Sequence, residues 1–137
     1  MLSTPILLDY QSSTPCSQDV VDSMRPFWSE IFSNPASKSN LAGINASAIL
    51  EASREKIEQH LFLKNKKVIF TSGATESNNL ALLGFARNYY KKTGNYGHII
   101  TLKTEHKAVL EPLKQLKKEG FMVTEITPEK DGLISEE

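Results

Sequence analysis

Between residues 68 and 126 the spacing of apolar side chains changes period repeatedly, and this alternation constrains the fold more than any other feature of the chain. Val68-Ile69-Phe70-Thr71 is a short β-branched and aromatic run that suits a buried strand. Leu80, Leu83, Ala86 and Tyr90 then keep helical spacing up to the stop signal Thr93-Gly94. His98-Ile99-Ile100-Thr101 reads as a second strand, Ala108 to Lys118 as a helix facing inward through Val109, Leu113 and Leu116, and Phe121 to Ile126 as a third strand. The order is β-α-β-α-β, and connections of this length make sequential strands parallel through right-handed crossovers. The expected class is α/β, the beginning of an open, mostly parallel sheet covered by helices. Three strands make a poor complete sheet, and Asp131-Gly132 with Leu133 to Glu137 reads as a turn and the start of another element, so the end reads as a truncation.

Upstream, Pro5-Ile6-Leu7-Leu8-Asp9-Tyr10 is a short extended run closed by turn-forming residues from Gln11 to Pro15. Val20, Val21, Met24, Phe27, Trp28 and Ile31 mark one helical face from Asp19 onward, with Ser17 available as a cap and Pro26 expected to kink it. Ser33 to Asn40 is a polar loop, because Pro35 disfavours the helical region at Asn34. A second helix of about five turns follows through Ala46, Ile49, Leu50, Ser53, Ile57 and Leu61, ending near Leu63. Lys64, Lys66 and Lys67 read as a solvated connection.

Composition narrows the function classes. The 16 Lys and Arg balance the 16 Asp and Glu among 137 residues, so the basic field needed for non-specific nucleic-acid or anionic-membrane binding is lacking. Cys16 is the single cysteine, which excludes an intrachain disulfide framework and a cysteine-rich zinc site and fits a reducing, cytoplasmic setting. No window is apolar for long enough to span a bilayer. No metal is expected, since neither His60 nor His98 has a partner at ligand spacing.

The stretch Thr71-Ser72-Gly73-Ala74-Thr75-Glu76-Ser77-Asn78-Asn79 joins the expected strand end to a helix start, where ligands bind in such sheets. Gly73 permits a tight turn, Ala74 and Thr75 offer free N–H groups, and the Thr75 hydroxyl adds a donor beside a helix dipole that favours an anion. The result is a phosphate cradle, or alternatively an ordinary cap in which Thr75 bonds Asn78 or Asn79. His106, in Thr104-Glu105-His106-Lys107, follows the second strand at the same sheet edge; it suits stacking on an aromatic cofactor or proton transfer, or else is a solvated helix-start histidine.

Leu8-Asp9-Tyr10 with Thr14-Pro15, Ser33-Asn34-Pro35-Ala36-Ser37, Phe70 to Asn79, and Thr104-Glu105-His106-Lys107-Ala108-Val109-Leu110 occur in the order and spacing of one family. Together they resemble the N-terminal part of cysteine desulfurases, pyridoxal-phosphate (PLP) enzymes of the class V aminotransferase group. The resemblance implies fold type I, with residues 1–15 an N-terminal arm and 16–137 the first part of the PLP-binding large domain, whose open, mostly parallel sheet carries helices on both faces. It implies that Ala74 and Thr75 bind the cofactor phosphate, that His106 stacks on the pyridine ring and moves protons, and that Asn34 to Ser37 line the mouth of the substrate site.

In the family a lysine forms the Schiff base, an aspartate holds the pyridinium nitrogen and a mobile cysteine takes sulfur as a persulfide. None of these motifs falls within the 137 residues; Lys107 belongs to the Thr-Glu-His-Lys-Ala-Val motif and Cys16 lies where the family has no catalytic cysteine. Asn40 stands where many relatives have histidine. The implied activity of the intact enzyme is conversion of L-cysteine to L-alanine with sulfur passed to a persulfide for iron-sulfur or thiocofactor assembly, in a homodimer that serves a sulfur-acceptor protein. The chain alone is expected to be inactive. A selenocysteine lyase, another class V aminotransferase, a non-catalytic interaction module and a simple phosphate-binding module are the rival readings.

Overall fold

In the computed structural model, which describes residues 6–64 and 66–135, the chain divides into two units, Met1–Ile69 and Phe70–Glu137. In the first unit, α1 (Gln18–Met24) and α2 (Pro26–Ser29) replace the single kinked helix expected from Asp19 to Ile31. Pro26 lacks the N–H that would continue the ladder and instead opens a new turn at its first position. Ser17 occupies the N-cap position of α1, but its hydroxyl makes no capping bond.

The third helix, α3 (Leu41–His60), begins ahead of the expected Ala46 and ends before Leu63. Asn40 sets its start: the Asn40 Oδ1 accepts from the Gly43 N–H at 2.7 Å. Leu41 and Ile44 are exposed, so the first turn carries no apolar period that would reveal it. Gly43 is buried, and a Cβ there would lie 2.3 Å from the Ser37 carbonyl oxygen. Only glycine lets the loop from Ser33 to Asn40 rest on this turn.

Val68 to Thr71, expected as a strand, forms no ladder. A strand exists by pairing, and side chains of α3 satisfy the Val68 backbone instead: its N–H donates to Glu58 Oε1 at 2.9 Å and its carbonyl accepts from the Arg54 guanidinium. The extended N-terminal run forms no strand over Ile6 to Asp9, while Pro5 and the preceding residues of the expected arm lie outside the described residues.

The second unit follows the expected order. Helix α4 (Ala74–Thr93) ends at Gly94 in the left-handed region, φ 72°, whose N–H donates to the Tyr90 carbonyl at 2.8 Å. Then β1 (His98–Leu102), α5 (Lys107–Lys118) and β2 (Met122–Ile126) form a β-α-β unit, with the strands parallel in register from His98 opposite Met122 to Leu102 opposite Ile126. The expected third strand starts one residue later, because Phe121 is in the core and its N–H closes α5 on the Leu116 carbonyl at 3.0 Å. Ala86 of α4, Leu113 and Leu116 of α5 and Phe121 form that core, with Leu83, Ile99 and Val123 packed against it. Tyr96 stacks on Tyr90 at 4.2 Å and meets Phe121 edge-on at 5.2 Å, sealing one end. After β2, Asp131-Gly132 makes the expected turn, with Glu129 N–H bonded to the Leu133 carbonyl at 2.8 Å; Glu136 and Glu137 lie outside the described residues.

Candidate functional site

The turn into α4 is held by its own side chains. Ser72 donates through both its N–H and its hydroxyl to Glu76 Oε2, each at 2.7 Å, and the backbone bond first, then the hydroxyl, holds the Glu76 carboxyl below its ordinary pKa. The Thr71 and Ser77 hydroxyls lie 2.6 Å apart. Gly73 is the N-cap residue, in an extended conformation with φ 159° and ψ −177°, and contributes no side-chain cap. The first helical bond runs from Ser77 N–H to the Gly73 carbonyl at 3.1 Å. The N–H groups of Ala74, Thr75 and Glu76 therefore precede the ladder and have no intrahelical acceptor. The capping alternative for Thr75 is not what forms: Thr75 lies inside the helix, and Asn79 Nδ2 donates to the Thr75 carbonyl at 2.8 Å.

His106 is the N-cap of α5, where its Nδ1 accepts from the Ala108 N–H at 3.1 Å. That bond fixes the neutral tautomer with its hydrogen on Nε2 and limits the swing of the ring. Thr75 and His106 line one groove of about 390 Å³, together with Asn79 of α4 and Lys107, Glu111 and Gln115 of α5. Pro112 and Leu83 supply apolar walls. The Glu111 carboxyl is held below its ordinary pKa by Lys114, at 2.7 Å, and to a lesser extent by Lys107 and Lys118.

The volume suits a small aromatic ligand, and the polar groups converge from two helix starts. The groove thus offers backbone donors, a hydroxyl, an imidazole and an amine. A larger apolar groove of about 480 Å³ runs past Leu82, Phe85, Tyr89 and Ile99; its one imidazole, His98, is bonded through Nε2 to the Thr124 hydroxyl at 2.8 Å. It carries little for chemistry.

Asn34 belongs to the first unit, is exposed, and uses its Oδ1 to accept from the Ala36 N–H at 2.9 Å. Asn40 is committed to capping α3 and donates through Nδ2 to the Ser37 hydroxyl at 2.8 Å. The Ser72–Glu76 lock went unread in the sequence, although Glu four residues after Ser at a helix start was its visible sign. Cys16 is exposed and reduced, and His60 Nδ1 bonds the Lys56 carbonyl at 2.7 Å. Among the described residues no cluster of three or more metal-ligating side chains occurs, and no helix is long and apolar enough to cross a membrane.

Residues 6–137 match the family described as aminotransferase class-V. Cysteine desulfurase IscS of Ehrlichia chaffeensis is 46% identical over 133 residues, 97% of this chain and 32% of that protein. Among solved structures, a NifS-like protein superposes with a TM-score of 0.78 at 34% identity, over 93% of this chain and 34% of its own. SspA in complex with cysteine gives a TM-score of 0.77 at 39% identity, over 93% of this chain and 35% of its own. The chain spans about a third of the length of these relatives. These likenesses bear out the α/β class and the match to part of a fold type I chain. The chain belongs to the class-V aminotransferase family, and curated relatives at 44–46% identity are cysteine desulfurases.

Proposed function

We propose that the chain supplies the phosphate-binding helix and the ring-stacking histidine of a PLP-dependent cysteine desulfurase. One observation carries the reading: Thr75 and His106, each at the start of a different helix, line the same groove. The family is PLP-dependent, and the cofactor when bound supplies an electron sink for bond cleavage in an amino acid.

The rest is work for the chain's own groups. Ala74 and Thr75 would hold the cofactor phosphate through their backbone N–H groups, with the Thr75 hydroxyl as a third donor at the positive end of the α4 dipole. Glu76 is tied back to Ser72, which leaves those donors available to a ligand. His106 would stack on the cofactor's ring; with Nδ1 accepting from the Ala108 N–H, Nε2 would be the atom that holds or gives up a proton. The family resemblance alone assigns Asn34 to the mouth of the substrate site in the intact enzyme. The substrate is L-cysteine, the product L-alanine, and sulfur leaves as a persulfide on an enzyme cysteine for iron-sulfur or thiocofactor assembly, in a cytoplasmic homodimer that serves an acceptor protein. The 137 residues alone release no sulfide from L-cysteine, since they contain neither the Schiff-base motif nor the persulfide motif.

Urea unfolding of the chain with PLP or inorganic phosphate tests the cofactor site. PLP at a hundred times its dissociation constant is expected to stabilise by about 2.7 kcal/mol, more than phosphate at the same concentration, and Thr75→Val or His106→Ala removes most of the difference. Equal protection by the two ligands favours a phosphate-binding module; protection untouched by either substitution overturns the site.

A further inference from the structure

We propose that Glu76 is a positioning residue for the cofactor phosphate: its carboxylate straps Ser72 to the first turn of α4 and so fixes the Ala74 and Thr75 N–H groups, an assignment that rests on the cofactor reading above. Gly73, at the N-cap position, brings no side-chain cap, and the space around it is open. Something else must therefore hold the turn. Glu76 Oε2 accepts from the Ser72 N–H and from the Ser72 hydroxyl, each at 2.7 Å. Thr71 makes a second strap: its hydroxyl lies 2.6 Å from that of Ser77 and donates to the Gly73 carbonyl at 3.2 Å. The straps run from Thr71 and Ser72 on one side to Glu76 and Ser77 on the other, and Gly73, Ala74 and Thr75 are the residues they enclose.

Charge alone argues against an acidic residue here, because a carboxylate one residue past two phosphate donors repels the anion they bind. The bonds to Ser72 change that balance. They spend the carboxylate on two donors of the chain itself, and they withdraw the Ser72 N–H from any ligand, so the anion is directed to Ala74 and Thr75. A turn already closed loses less backbone freedom when the ligand arrives, and that saving appears as affinity. Positioning and simple repulsion thus predict opposite signs when the Glu76 carboxylate is removed.

The test measures dissociation constants of PLP and of pyridoxal, which lacks the phosphate, for the parent chain, Glu76→Ala, Glu76→Gln and Ser72→Ala, with circular dichroism to confirm folding. Glu76→Ala is expected to weaken PLP about tenfold and pyridoxal less than about twofold. Glu76→Gln keeps an oxygen that accepts from Ser72 and should return PLP affinity to within about threefold of the parent; Ser72→Ala, which loses the hydroxyl bond and keeps the N–H, should weaken it about threefold. Repulsion without positioning predicts instead that Glu76→Gln and Glu76→Ala both tighten PLP. Tightening by Glu76→Gln together with no loss in Ser72→Ala overturns the strap even where the alanine variant at position 76 does not fold. Unchanged PLP affinity in a folded Glu76→Ala, or equal losses for PLP and pyridoxal, overturns it as well. Thr75→Val separates the two ideas: PLP binding that Thr75→Val weakens and Glu76→Ala does not sinks the strap and leaves the cofactor reading standing, whereas no saturable PLP binding by the parent sinks both.

Discussion

Where the second unit buries Ala86, Ala108, Leu113, Leu116 and Phe121, the first buries Gly43 and no large apolar side chain among its described residues. Val20, Met24, Phe27 and Trp28 of α1 and α2 remain exposed, with Trp28 at 68%. The first unit is organised by short-range polar bonds, from Asn34 to Ala36 and from Asn40 to Ser37 and Gly43. In the second, α4 packs on α5 over a parallel strand pair, and the ends of those helices meet around the candidate groove. A groove built on a buried core holds its donors in place before a ligand arrives, which is the condition for preorganised binding.

The largest expected break in this contrast is Leu116→Ala, at a side chain with no exposed surface. Truncation there should cost about 3 kcal/mol in urea unfolding, against about 0.5 kcal/mol or less for Val20→Ala on the open face of α1. A similar cost for both would mean that the first unit has a core after all. Gly43→Ala should be the most damaging small change in the first unit, about 2 kcal/mol by hydrogen exchange of α3, because the new methyl meets the Ser37 carbonyl. Asn40→Ala loses the α3 cap and should cost about 1 kcal/mol, read as faster exchange of the α3 first-turn amides.

The smallest effect is electrostatic. Arg87, with Gln115 second, holds the Glu119 carboxyl down to about 2, through Arg87 bonds of 2.6 and 3.0 Å. A carboxyl with a lowered folded-state pKa contributes stability above its unfolded value, about 4.3, and loses it as pH falls from there through about 2. Arg87→Met should flatten that acid limb of the stability profile, and an unchanged limb would show that the pair is not formed in solution.

The contrast also explains what the sequence disclosed. In the second unit the helices keep one apolar face and end on legible signals such as Gly94, so α4, β1, α5 and β2 fall within a residue or two of their expected places. In the first, α3 begins on a polar cap with exposed Leu41 and Ile44, and apolar period could not show it. Val68 to Phe70 has strand composition but forms no strand, and strand formation depends on neighbours that no local run encodes. For the site, the types and places of Thr75 and His106 were legible; their shared groove with Asn79, Lys107 and Gln115 depends on how α4 packs against α5.

The most direct test of the central claim is a PLP titration of the isotopically labelled chain followed by amide and imidazole nuclear magnetic resonance. Saturable shifts confined to the Ala74, Thr75 and Glu76 amides and to the His106 ring, with the ring shift absent when inorganic phosphate replaces PLP, are the expected result. Shifts scattered over the lysines of both units, or a His106 ring that does not respond while the α4 amides do, would contradict a groove in which Thr75 and His106 hold one ligand.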